Sequence, residues 1–201
     1  MTNTPETGTE PVTTPVVRRV SPWNIANVLT VLRLVVVPFF VACMLVDGTG
    51  WRYAALVVFL LASLTDQLDG WLARRYGLIT DFGKIADPIA DKALIGAALV
   101  TLSAAGELPW WVTCTILGRE VGVTALRVAV IRHGVIPASY GGKVKTVLQI
   151  AAIALYILPG VPQSLRWGLI GLALAVTVVT GLDYVIRAMR LRKVAEKARG
   201  G

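Results

Sequence analysis

Histidine occurs once in this 201-residue chain and cysteine twice. The two cysteines, Cys43 and Cys114, lie inside apolar segments. They read as small core hydrophobes, not as a disulfide or a metal site. His133 ends an apolar run beside Gly134, where a helix C-terminal role fits better than catalysis. Charged residues make up only 16% of the chain, and there are just seven Asp. Residues 1–17 hold few large apolar side chains. They show no basic n-region followed by a short apolar core and a cleavage site, so no cleavable signal peptide is expected. No fixed-period repeat and no soluble domain is visible. Gly141-Gly142-Lys143 lacks the fixed spacing of a Walker loop, which removes an ATPase reading.

What is abundant is apolar sequence. Hydrophobic residues make up 55% of the chain and the mean hydropathy is +0.68, which makes a membrane protein the leading class. Six apolar spans follow from the pattern: about 25–46, 53–76, 87–105, 110–131, 143–158 and 165–189. The expected fold is an all-α integral membrane bundle of six transmembrane helices with a short N-terminal juxtamembrane segment. Residues 1–20 form a disordered tail, 21–190 the membrane domain and 191–201 a basic C-terminal tail. Asp47 to Gly50, Gly106 to Pro109 and Pro159 to Pro162 are turns. Asp87 caps the third helix, with Pro88 at its first position.

The net charge of +8 is concentrated at span ends and the C-terminus. Lying beside apolar spans, these residues suit loops facing anionic lipid rather than nucleic acid. Six spans put both termini on one side. Arg18, Arg19, the Arg74–Lys92 connection, Arg132–Lys145 and the C-terminal tail share that side. The positive-inside rule makes it cytoplasmic, in a multi-pass protein of the cell membrane.

Five of the seven Asp fall between Asp66 and Asp91. Asp66 and Asp69 are i, i+3 and share a helix face; so do Asp87 and Asp91 at i, i+4. A turn using Gly77 and Gly83 brings the two faces together. Four carboxylates around one cavity repel unless cations neutralise them. An all-oxygen set without His or Cys points to Mg²⁺, with Mn²⁺ and Ca²⁺ as relatives. Gly70 and Ala73 leave room for a flat group, and Arg74 suits a phosphate. Together these describe a diphosphate-binding site. On the first span, Asn24, Asn27, Thr30 and Arg33 form a polar stripe, and Arg33 faces protein or water, or snorkels to the interface. In the fourth span Glu120 pairs with a basic residue, and Arg119 is either structural or an anion ligand.

The run Asp66-x2-Asp69-Gly70-x2-Ala73-Arg74-x8-Gly83-x3-Asp87-x3-Asp91 resembles the signature of the CDP-alcohol phosphatidyltransferases at all eight positions. The Asn24-to-Arg33 run also resembles that family's opening helix. The resemblance covers about residues 24–183. It implies transfer of a phosphatidyl group from CDP-diacylglycerol to an alcohol, releasing CMP. It implies metal binding, by two Mg²⁺ ions or by Mn²⁺, at Asp66, Asp69, Asp87 and Asp91, with Asp91 also the general base. Gly70, Ala73, Arg74, Thr80, Gly83, Asn27 and Thr30 would hold the liponucleotide. A homodimer among membrane lipids is expected on the same ground.

Spare positive charge at Arg33, Arg119, Lys143 and Lys145 suits an acceptor with its own phosphate. Arg119-Glu120 and Lys143-x-Lys145-Thr146 resemble the branch whose acceptor is sn-glycerol 3-phosphate, and the surrounding segments resemble its actinobacterial members. Inositol phosphate is also anionic and stays open. Other synthases on the same scaffold, a prenyl-diphosphate transferase and a cation transporter are the alternatives. The Asp-Gly-x2-Ala-Arg element argues against the last two.

Overall fold

The computed structural model describes residues 25–76, 81–130 and 140–199, with side chains at 31–65, 92–126 and 141–191. The expected N-terminal tail, His133 and Thr80 lie outside the described residues. Among those described there are six helices and no strand: α1 Ile25–Leu45, α2 Thr49–Tyr76, α3 Asp81–Ala104, α4 Trp110–Val130, α5 Tyr140–Ile157 and α6 Gln163–Arg199. Each expected span corresponds to one helix.

The differences are at helix ends. Gly48, at φ +127°, makes the reversal that only glycine takes readily, so α2 opens at Thr49 within the expected turn. The α3 boundary corrects the sequence reading more substantially. The helix begins at Asp81, so Asp87 is not its cap, Pro88 is not its first residue, and Gly83 is helical and not in the turn. An acidic first residue suits the positive end of the helix dipole, and Lys84 and Ala86 are good helix formers. Pro88 forfeits only one backbone bond, to the Lys84 carbonyl. At the other extreme, α6 runs 37 residues and carries the basic tail as helix as far as Arg199.

The helices close into a ring. α1 packs on α2, α2 on α5, α5 on α6, α6 on α4, α4 on α3, and α3 back on α1. α3 also touches α2 and α5 across the middle. The core between them is apolar, with the Phe40 and Phe59 rings tilted at 43° and 5.8 Å apart between centroids, and with Leu99, Ile116, Ile153 and Ile170 buried as well.

A polar clamp closes one end of this core. Arg52, at the start of α2, forms a forked pair with Glu107 in the α3–α4 turn, at 2.6 and 2.7 Å. The same guanidinium donates to the Tyr156 and Ile157 carbonyls at the end of α5, at 3.0 and 3.2 Å. Arg166, near the start of α6, donates to the Leu158 carbonyl at 3.0 Å and reaches Glu107 at 3.5 Å. The last carbonyls of a helix have no partner within it. Two arginines supply those partners for α5, and Glu107 holds both in place.

The outside of the ring is strongly apolar. Leu45 is 71% exposed and Val121 and Val179 are each 65% exposed, whereas Arg33, Lys145 and Gln149 are buried. Among the described residues one helical segment, Gln163–Leu191, is long and apolar enough to cross a membrane; Val31–Leu45, Thr49–Thr65 and Lys92–Ala104 are shorter apolar stretches.

Candidate functional site

The end of the ring opposite the clamp holds a cavity of about 210 Å³. The first half of α1 contributes Arg33, the middle of α2 Ser63, and the middle of α3 Lys92, Leu94 and Ile95. α4 adds Leu117 and Glu120, and the start of α5 adds Lys145, Thr146, Gln149 and Ile150. On α2, Ser63 lies eleven residues beyond Arg52, roughly 16 Å along the axis. The clamp and the cavity are thus separated by the apolar core.

Among the described residues, three cations and one carboxylate line the cavity, a balance that favours an anion. Lys145 is held in place by Glu120, whose Oε1 accepts from its ammonium. The same oxygen accepts from Arg119 Nη1 at 3.1 Å. Arg119 Nη2 donates to Thr180 Oγ1 of α6, also at 3.1 Å. A chain of charge-assisted bonds therefore ties α5 to α4 and α4 to α6. Gly181 makes room for it: a Cβ there would stand 3.0 Å from Arg119 Cγ. On the cavity wall Thr146 Oγ1 donates to the Gly142 carbonyl at 3.1 Å, and Gln149 Nε2 donates to Thr177 Oγ1 at 3.1 Å.

The four basic residues picked from the sequence therefore separate. Arg33 and Lys145 line the cavity, and Arg33 is buried as expected for a residue facing protein. Arg119 is a brace between Glu120 and Thr180 and is not in the lining. Lys143 is exposed. It precedes Lys145 by two residues on α5, and two helical residues are roughly 200° apart around the axis, so the pair cannot share a face. Glu120 does pair with basic residues, as expected.

Three polar lining residues escaped the sequence reading. Lys92 follows Asp91 directly and was overshadowed by it. Gln149 shows only as the i+4 partner of Lys145. Ser63 carries no local signal except its position one turn before Asp66.

Asp66 and Asp69 lie on α2, and Asp87 and Asp91 on α3. Both segments are continuous helix, so each pair keeps one face. Helices α2 and α3 pack on each other. The side chains of these four residues, and of Asn27, Thr30, Gly70, Ala73, Arg74 and Gly83, lie outside those described. Among the described side chains no other cluster could hold a metal ion. The donor set of the four Asp is all hard oxygen, on two helices that adjoin, and it fits a divalent cation of the Mg²⁺ type. The motif and the cavity abut on both helices, through Ser63 and Asp66 on α2 and through Lys92 and Asp91 on α3.

A family model described as CDP-alcohol phosphatidyltransferase matches residues 23–179, which contain every cavity residue and the whole Asp motif. A probable phosphatidylglycerophosphate synthase of Mycobacterium tuberculosis is 53% identical over 172 residues, spanning 83% of this chain and 82% of its own. A CDP-diacylglycerol–glycerol-3-phosphate 3-phosphatidyltransferase of Bacillus subtilis is 36% identical over 180 residues, or 81% of this chain and 93% of its own. The protein of the same name from Escherichia coli is 38% identical over 138 residues, or 66% and 75%.

Proposed function

The chain belongs to the CDP-alcohol phosphatidyltransferase family, and we propose that it transfers the phosphatidyl group of CDP-diacylglycerol to sn-glycerol 3-phosphate. The products are phosphatidylglycerophosphate and CMP, in phospholipid biosynthesis. The observation that carries the acceptor is the cavity beside the Asp motif, with Arg33, Lys92 and Lys145 in its wall. A cationic pocket of this kind selects an alcohol that bears a phosphate.

In this reading Asp66, Asp69, Asp87 and Asp91 hold divalent metal, two Mg²⁺ ions or Mn²⁺ in their place. Metal held by these four carboxylates would supply neutralising charge for the diphosphate oxygens and the departing CMP. Gly70, Ala73, Arg74, Thr80 and Gly83 hold the cytidine and diphosphate, with Asn27 and Thr30 from the first helix. Arg33, Lys92 and Lys145 hold the acceptor phosphate. Asp91 takes the proton from the attacking hydroxyl, which adds in line to the lipid-side phosphorus. Glu120 is a positioning residue: it fixes the Lys145 ammonium, and Arg119 fixes Glu120 in turn. Lys143 sits outside the pocket and adds long-range attraction only.

The membrane setting belongs to the same proposal. Helices of 18 residues or more reach roughly 27 Å, and the large exposed apolar side chains find their solvent in lipid. We place six crossings in the cell membrane, with the Asp motif, the cavity and both termini on the cytoplasmic side, and two copies as a homodimer. We assign the catalytic domain to residues 21–190.

The test is CMP release by purified protein in detergent with CDP-diacylglycerol and Mg²⁺. Glycerol 3-phosphate, inositol phosphate, inositol, serine and phosphatidylglycerol are offered in parallel. Release with glycerol 3-phosphate alone, abolished by a chelator, is expected. Release with another acceptor instead overturns the reading of the cationic pocket. Metal flux without CMP formation overturns the enzyme.

A further inference from the structure

Ser63 is 6% exposed and lines the cavity, yet its Oγ has no hydrogen-bond partner among the described residues. A buried hydroxyl left without a partner is costly, and a site that keeps one usually satisfies it with a ligand or water. The other neutral polar groups of the wall are already engaged. Thr146 donates to the Gly142 carbonyl, and Gln149 donates to Thr177. Arg33, Lys92 and Lys145 offer charge, and an acceptor phosphate goes to charge first. Among the described wall residues, Ser63 has the hydroxyl whose donor and acceptor are both unspent.

We propose that Ser63 is a specificity-determining residue that hydrogen-bonds the non-reacting hydroxyl of a polyol phosphate acceptor. The inference rests on the acceptor reading above. The phosphate lies against the cations, and the secondary hydroxyl meets Ser63 Oγ, which both donates and accepts. Ser63 precedes Asp66 by three residues on the same face of α2, about 4.5 Å along the axis. A polyol gripped at both points therefore presents its remaining primary hydroxyl to the Asp motif. An acceptor without the secondary hydroxyl leaves Ser63 unpaired and is discriminated against.

The test compares glycerol 3-phosphate with 3-hydroxypropyl phosphate, which keeps the reacting hydroxyl and the phosphate but lacks the secondary hydroxyl. Wild-type protein is expected to favour glycerol 3-phosphate by about tenfold in kcat/KM, the worth of roughly one hydrogen bond. Ser63→Ala should lose about that factor on glycerol 3-phosphate and less than twofold on the analogue, with the KM for CDP-diacylglycerol unchanged. Its melting temperature should not fall, because no internal hydrogen bond is removed. Equal losses on both acceptors, no loss on either, or a lowered melting temperature would overturn the role of Ser63 and leave the acceptor reading standing. Failure of the wild type to use glycerol 3-phosphate, with turnover of another acceptor, overturns both.

Discussion

Removing the Glu120 carboxylate should destabilise the protein more than removing either of its partners. The Lys145 and Glu120 side chains are 7% and 16% exposed, so the pair is largely out of water. Among the described residues Glu120 is the one carboxylate paired with Lys145, and the same Oε1 serves Arg119. Glu120→Ala removes the carboxylate that the buried Lys145 and the partly buried Arg119 share. Breaking a buried pair from one side costs about 3–5 kcal/mol. For a chain of this length that lowers the melting temperature by roughly 10 °C. Lys145→Ala is milder, since Glu120 keeps Arg119; about 1–3 kcal/mol is expected. The double variant Glu120→Ala/Lys145→Ala removes one of the stranded cations along with the carboxylate. It should therefore be more stable than the two single losses predict, by about 0.5–3 kcal/mol. The assay is thermal unfolding in one detergent for the wild type and three variants. A wild-type melting temperature for Glu120→Ala, or strict additivity in the double variant, would refute the argument that this carboxylate holds α4 to α5.

Three further outcomes follow from the geometry. Lys145→Ala should raise the KM for glycerol 3-phosphate far more than that for CDP-diacylglycerol, while Lys143→Ala changes either less than threefold; initial-rate kinetics with each substrate varied would show it, and similar effects of the two lysines would contradict their placement on different faces of α5. Asp91→Asn should retain liponucleotide binding, measured by equilibrium binding of CDP-diacylglycerol, yet lose about 10²–10⁴-fold in turnover; normal turnover would remove Asp91 as the base. Arg52→Met breaks the forked pair with Glu107 and strands the α5 carbonyls, so it should cost about 2–4 kcal/mol in thermal unfolding while leaving the acceptor KM in the surviving folded fraction unchanged. A shifted acceptor KM would mean that the two ends of the ring are coupled.

Much of the protein could be read from local sequence. The six apolar runs set the six helices, because burying or shielding a continuous apolar stretch is decided within the stretch itself. The Asp motif was legible for the same reason: spacings of three and four residues place carboxylates on one helix face whatever surrounds them. Arg33 was marked by a charge inside an apolar run, and it is buried. The start of α3 was misread because Pro88 is a local signal for a helix start, and here the preceding turn is helical as well.

The sequence by itself thus determined the class of chemistry and the helices that carry it. The tertiary structure decided which of the scattered polar residues share a cavity. Ser63, Lys92, Glu120 and Lys145 lie on four different helices, and only the closure of α3 on α2, α4 and α5 sets them around one space. It also decided that Arg119 braces Glu120 against Thr180, and that Lys143 points away from the wall that Lys145 lines. Charge is written in the sequence, but the partner of a charge depends on distances of a few ångströms between helices far apart in the chain. Those distances are fixed by packing, which no local spacing encodes.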